Sequence, residues 1–268
     1  STGLPTKSEQ TDLLAAMYGR HGEAPVPVIA AATPGDCFYI MLEAFRLALK
    51  YMTPVIVLSD GGLSNASEPW KIPDENNLPD LKPEFHTEQA NFSPYQRNQE
   101  TLARNWAIPG TPGLQHRLGG LEKHSVTGEI SYDPENHERM VLLRDEKIKR
   151  IKNNLSPLEI IGPEKNELLV VTWGSVYGPA FSAIEDLQEQ GHPVSMVHLR
   201  HLNPFQKNLA GILSNFEKVL VPEMNLGQLS RLLRAEFLVD TIPFAKVQGR
   251  PFLISEIRSR IIELLAEK

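Results

Sequence analysis

Cysteine is almost missing from this sequence. Cys37 stands alone among 268 residues. That excludes an internal disulfide, and it excludes a cysteine-ligated iron–sulfur cluster or zinc site built by this chain alone. Long apolar runs are missing too: none reaches the roughly 18 residues of a membrane-spanning helix. No secretory signal pattern leads the chain, which opens on Ser1 rather than Met, so a cytoplasmic location is the expectation. Positive charge is not in excess. Lys and Arg number 27 against 33 Asp and Glu, a net charge of −6, which argues against a nucleic-acid surface. No Gly-x-Gly-x-x-Gly precedes a helix, and no Walker A run or serine nucleophile elbow is present. His116, His124 and His137 lack metal-site spacing and read as loop histidines.

What is present reads as a folded α/β protein. Hydrophobic residues make up 41% and charged residues 22%, near globular averages, so disorder is not the reading. Pro27–Ala32 and Pro54–Asp60 are short apolar runs that predict buried strands. Between them Thr33-Pro34-Gly35-Asp36 starts a helix running to about Tyr51. Its apolar residues lie nearly all round, which predicts burial on every side. Strand, helix and strand in so short a space form a βαβ unit and hence a parallel sheet.

From about Ser67 to Glu138 the periodicity dissolves among recurrent prolines. Such a long structureless stretch has a job or lies against a partner, and Trp70, Phe85, Phe92, Tyr95, Trp106 and Tyr132 give it an aromatic load that disordered segments lack. A charged connecting helix is predicted over Arg139 to Ile151. Beyond it, strands at Leu168–Gly174, Pro193–Leu199 and Lys218–Glu223 alternate with helices. These open at Gly178, near Gln206 and near Gln228, and a last helix spans Ile254–Ala266. The pattern predicts a doubly wound parallel unit.

The opening stretch carries the most chemistry per residue. Ser1, Thr2 and Thr6 sit on a loop shaped by Gly3 and Pro5, and a helix capped by Ser8 is expected to follow and end at Gly19. Hydroxyls ahead of a helix N-terminus suit an anion, and equally an ordinary cap. Three stretches, Ser1–Glu23, Trp106–Glu122 and Glu223–Leu229, resemble the 2-oxoacid:ferredoxin oxidoreductases, most closely the alpha subunit of the 2-oxoglutarate enzymes. The resemblance implies a thiamine-diphosphate-binding α/β unit of the pyrimidine type, incomplete at its N-terminus, over 1–85. An extended connection and linker helix follow over 86–160, and a transketolase C-terminal-like doubly wound domain over 161–268. The chain then reads as a fragment of a longer subunit.

By the same resemblance the reaction is oxidative decarboxylation of 2-oxoglutarate with coenzyme A, giving succinyl-coenzyme A, CO₂ and reduced ferredoxin. Pyruvate or a branched-chain 2-oxoacid as substrate, or a non-catalytic assembly role, are the alternatives. A beta subunit is expected to hold the diphosphate, Mg²⁺ and a [4Fe-4S] cluster, with two alpha–beta pairs assembling as a dimer. Thr6 is the implied ligand of the 2-oxoacid carboxylate, with Ser1 and Thr2 beside it. Partners of Thr6 and of the thiamine ring, an Arg and a Glu, would lie upstream of Ser1.

Other candidates have two readings each. Arg20 could meet a coenzyme A phosphate, and His21 with Glu23 could do acid–base work at the cofactor or simply order a loop. Ser59-Asp60-Gly61-Gly62 with Asn65 lies at a strand's carboxyl end and is similar only in composition to the motif that grips Mg²⁺ and thiamine diphosphate. Asp60 otherwise caps the loop. Cys37 lies at a helix N-terminus, which can activate a thiol, or is buried and structural. Glu223-Met224-Asn225-Leu226-Gly227-Gln228 leads into a helix N-terminus that could bind an anion, or forms a turn fixed by Asn225 and Gly227 or a subunit contact.

Overall fold

Two sheets, one mixed and one all-parallel, meet along one seam, and the chain crosses that seam several times. The computed structural model describes residues 3–5, 7–90 and 92–267. Ser1, Thr2 and Thr6, which carry the substrate-binding expectation, lie outside the described residues.

The first sheet is seeded by the expected βαβ unit. Strand β1 (Val28–Ala30) pairs in parallel with β2 (Ile56–Leu58), joined by helix α2 (Asp36–Tyr51). Ile40, Ala44, Leu47 and Tyr51, spaced one helical turn apart, pack on Ile29 and Ala31. The expectation that α2 is buried all round is corrected. Phe38, Tyr39, Met41 and Phe45 are 37–53% exposed, because the sheet covers only one of the helix's apolar faces.

Helix α1 spans Leu13–Tyr18, with Asp12 as its N-cap. The expected start at Ser8 is therefore also corrected. Ser8 is buried and its N–H donates to Gly249 O at 3.1 Å, so this segment is fixed by tertiary contacts before the helix begins.

The second sheet comprises β3 (Asn166–Thr172), β4 (Val194–His198), β6 (Phe216–Glu223) and β7 (Thr241–Ala245). They lie in the order β4-β3-β6-β7, all parallel. Helices α5 (Tyr177–Glu189), α6 (Leu209–Ser214), α7 (Gln228–Phe237) and α8 (Ile254–Ala266) complete it. The central strand β3 is fully buried from Leu168 to Val171, as a strand covered on both faces must be. β7 carried no clear signal in the sequence. It is an edge strand with a proline, Pro243, and only Thr241 is buried, and prolines are tolerated at such edges.

The third strand of the first sheet is β5 (His201–Asn203), which runs antiparallel to β1. Two residues carry the chain from one sheet to the other. Leu199 N donates to Thr172 O in the second sheet, and Arg200 O accepts from Ala30 N in the first. One hydrophobic cluster accordingly crosses the seam, joining Leu13, Val28 and Ala30 to Leu169, Val197 and Leu229.

The long irregular arm is held by side chain–backbone bonds and ring contacts. Trp106 Nε1 donates to Leu49 O at 2.8 Å, and Phe92 lies between the rings of His86 and His116, each 5.3 Å away. Helix α4 (Pro134–Arg150) follows, capped by Asp133 and opened by Pro134, several residues before the predicted start. Among the described residues no helix is long and apolar enough to cross a membrane.

Candidate functional site

In an open parallel sheet, ligands settle at the carboxyl ends of the strands where the chain reverses its direction of growth. In the second sheet that point lies between β3 and β6, beside Trp173 and Met224. It is filled from within. Gln10, only 2% exposed, donates through Nε2 to Trp173 O at 2.8 Å and accepts from Met224 N at 3.0 Å. Its main-chain N–H donates to Met224 O at 3.0 Å, and its carbonyl accepts from Asn225 Nδ2 at 2.8 Å.

Beneath it lies Glu223, fully buried. Its carboxylate accepts from Trp173 Nε1 at 3.2 Å, Asn225 Nδ2 at 3.1 Å, Leu229 N at 2.7 Å and Ser230 N at 3.1 Å. Burial pushes this carboxyl up from its ordinary range, against the pull of those four donors. Any anion at the start of α7 would compete with Glu223 itself. The turn reading of this motif therefore holds: Asn225 Oδ1 accepts from Gln228 N at 2.8 Å, and Gly227 adopts a φ of 80°.

The unfilled crevice lies at the carboxyl ends of β1 and β4, on the seam, with a volume of about 730 Å³. Two charge clusters line it. Asp36 takes Arg200 in a two-pronged pair at 2.6 and 3.1 Å. Glu43 takes Arg46 at 2.6 and 2.7 Å and His201 Nε2 at 3.0 Å. Burial works against the Glu43 charge, but hydrogen bonds from Arg46 and His201 outweigh it and hold the carboxyl at about 2. His198 goes the other way from ordinary histidine: burial and then Arg200 lower it to about 3, so it is neutral at physiological pH. Its Nδ1 meets Thr172 Oγ1 at 2.9 Å. Among the described residues, His198 Nε2, His201 Nδ1 and Gln206 Oε1 are buried without a hydrogen-bond partner. Buried polar atoms of that kind call for a ligand or ordered water.

These shifts set an acid limit. The unfolded chain binds protons at His198 below about pH 6.5 and at Glu43 below about pH 4.5, while the folded chain refuses both until about 3 and 2. Stability is therefore expected to be full above pH 6.5 and to fall progressively down to pH 2. Glu43→Gln should flatten the decline below pH 4.5 in urea midpoints measured across this range. An unchanged slope would remove Glu43 from the account.

Asp60 is a cap. Its carboxylate accepts from Gly62 N at 2.8 Å and Leu63 N at 3.1 Å, starting the short helix α3 (Gly61–Asn65), and from Ser175 N at 2.9 Å across the seam. Among the described residues no group of three His, Cys, Asp or Glu could hold a metal ion. The opening segment lies against this loop, since a Cβ on Gly61 would stand 2.3 Å from Lys7 O.

Arg20 donates to the carbonyls of Ala16, Met17 and Ala24 at 2.5–2.9 Å and so closes the end of α1. With Glu23 it lines a separate cleft of about 630 Å³ facing Leu142 and Asp145 of α4; His21 is exposed. The structure does not bring these residues into the Asp36–Arg200 crevice. Cys37 is half-buried with its Sγ 3.6 Å from Thr33 O. Its thiol is pushed up by burial and then by Asp36, Asp60 and Glu68, which opposes an activated thiolate, although the expected burial is only partial. Gln10, Arg200, Glu43 and His198 were not singled out as site residues from sequence. Their partners lie up to 215 residues away, and only residue type hinted at them.

Two family models match the chain. "Pyruvate flavodoxin/ferredoxin oxidoreductase, thiamine diP-bdg" takes residues 1–133, and "Pyruvate:ferredoxin oxidoreductase core domain II" takes 166–257. A 2-oxoglutarate oxidoreductase subunit KorA of Mycobacterium tuberculosis is 52% identical over 267 residues, covering 99% of this chain and 41% of that one. The chain belongs to the alpha subunits of the 2-oxoacid:ferredoxin oxidoreductases. A second member, the 2-oxoglutarate synthase subunit KorA of Archaeoglobus fulgidus, is 31% identical over 230 residues, 85% of this chain and 58% of that one. In structure the family likeness extends to 2-oxoglutarate:ferredoxin oxidoreductase from Magnetococcus marinus, solved with 2-oxoglutarate, coenzyme A and succinyl-CoA bound. The TM-score is 0.91 at 33% identity, over 99% of this chain and 46% of that one. The chain thus spans about two fifths of the Mycobacterium relative. The expected fold class is the observed one: parallel α/β units of the thiamine-diphosphate-binding and core-domain-II types.

Proposed function

We propose that this chain is part of the alpha subunit of an enzyme that oxidatively decarboxylates 2-oxoglutarate. Coenzyme A and two oxidised ferredoxins are consumed; succinyl-coenzyme A, CO₂, a proton and two reduced ferredoxins are formed. The observation that carries this reading is likeness along the whole chain, through both sheets, to a structure solved with 2-oxoglutarate and coenzyme A bound.

The described residues do not fit the diphosphate and Mg²⁺ of thiamine diphosphate. Asp60, the one carboxylate in the stretch similar in composition to that motif, already serves three backbone donors. Cys37 alone cannot hold an iron–sulfur cluster. Both groups are assigned to a beta subunit. This chain's own part is to line one wall of the site, with Thr6 donating to the substrate carboxylate, Ser1 and Thr2 beside it, and Arg20, His21 and Glu23 on the cofactor side. Ferredoxin as redox partner and a dimer of alpha–beta pairs complete the proposal.

The test is turnover of the purified intact complex with coenzyme A, ferredoxin and a panel of 2-oxoacids. A preference for 2-oxoglutarate is expected. Preference for pyruvate would transfer the reading to that substrate, and a complex without activity on any of them would leave an assembly role. In the same assay Thr6→Ala should raise KM for the 2-oxoacid by about 10–100-fold, the worth of a hydrogen bond to a charged group. Unchanged kinetics across the panel would take Thr6 out of the site.

A further inference from the structure

Four cations converge where the long arm meets α4. Arg97 and Arg104 face each other across an antiparallel bridge, an arrangement that like charges disfavour. Arg144 and Lys147, one helical turn apart on α4, close the other side. Together with Met52, Leu102 and Leu143 they line a small cavity of about 40 Å³, room for about three waters or one tetrahedral oxyanion.

Counter-charge is scarce. Among the described residues, the one carboxylate ion-paired with any of the four is Glu122, at 3.6 Å from Arg144, and Glu122 also holds His137 at 2.6 Å. Among the described residues Lys147 is anchored through Met52 O alone, at 3.2 Å. Its ammonium is lowered to about 8, first by burial and then by the three arginines. The Arg104 guanidinium sits 4.7 Å over the Tyr95 ring, and among the described residues it donates in one long 3.5 Å contact to Pro94 O. Partly buried cations held this close, without a matching anion, are costly unless something negative joins them.

We infer that Arg97, Arg104, Arg144 and Lys147 form a binding site for a phosphate group, which would clamp the arm to α4. A carboxylate brings a single charge and two oxygens. A phosphate brings up to two charges and can accept from donors in several directions, which suits cations arriving from two elements. The inference does not depend on the oxidoreductase reading, and activity is not its readout.

The experiment follows thermal unfolding of the intact complex with inorganic phosphate, with adenosine 3′,5′-bisphosphate, and with sodium chloride at matched ionic strength. Wild type, Lys147→Met and Arg104→Gln are compared. Either phosphate compound is expected to raise the wild-type midpoint by about 5 °C near saturation, chloride is not, and both variants should lose the rise. Without phosphate, Lys147→Met should melt no lower than wild type, because it removes an unpaired charge. A half-saturating concentration tenfold lower for the bisphosphate would mark a nucleotide-borne phosphate as the natural ligand; equal values would mark the free ion. The inference is overturned by an equal rise in chloride, which is screening alone, or by an equal rise in the variants. It is also overturned if phosphate is inert and Lys147→Met melts lower, which would mean that a carboxylate of a neighbouring subunit already occupies the place.

Discussion

Glu223→Ala is expected to destabilise the protein by about 3–5 kcal/mol, among the largest effects available in this chain. The side chain is fully buried and collects four donors from three elements: the turn after β3, the turn after β6 and the start of α7. Alanine would leave Leu229 N, Ser230 N, Trp173 Nε1 and one N–H of Asn225 facing a void. Glu223→Gln separates shape from charge. It fills the space, but turns an N–H₂ toward groups that can only donate, so an intermediate loss is expected. Denaturant midpoints of the three proteins decide the matter. A loss under about 1 kcal/mol for alanine would mean that water reaches the four donors, contrary to their burial.

Gln10→Ala comes next, with an expected loss of about 2–4 kcal/mol from two buried side-chain hydrogen bonds and a residual cavity. Its effect should reach beyond stability. Gln10 pins the opening segment to the second sheet, four residues past Thr6, so under the proposed function the variant should also raise KM for the 2-oxoacid. Gln10 Nε2 holds the carbonyl of Trp173, whose indole N–H donates to Glu223 Oε1, which makes the two sites one network. The double variant should therefore lose less than the sum of the singles. Strict additivity would show that the plug and the carboxylate act independently. A normal KM alongside lost stability would show that the opening loop is positioned by other contacts, such as those of Ser8 with Gly249.

The filled crevice gives a physical account of the second unit. A doubly wound sheet ordinarily offers its switch point to a ligand. Here the same backbone groups are spent on Gln10, and the helix N-terminus on Glu223. The second sheet thus serves as a dock for the first, and the open space is displaced to the seam, where among the described residues His198, His201 and Gln206 keep unsatisfied atoms.

Much of this was legible in the residues. The βαβ unit, the parallel second sheet and the last helix at Ile254–Ala266 follow from periodicity, because strands buried on both faces must be apolar throughout. The family was legible in the opening and closing motifs. The role of Asp60 as a cap was legible as one of two readings, since an Asp ahead of two glycines suits a helix start. By contrast, the exposed aromatic face of α2 could not be read from an all-round apolar helix: composition states what a helix could bury, and only the partners present decide which face it does bury.

By itself the sequence determined local geometry and the chemical exclusions: which segments are strands, where Gly227 must turn, and that a lone Cys37 holds no cluster. Tertiary structure alone decided where Gln10 goes, that β5 leaves its neighbours to pair with β1, and that Asp36 meets Arg200 across 164 residues. The reason is range. Periodicity and capping act within a few residues, whereas a buried charge or amide takes its partner from whatever the packed sheets bring within 3 Å.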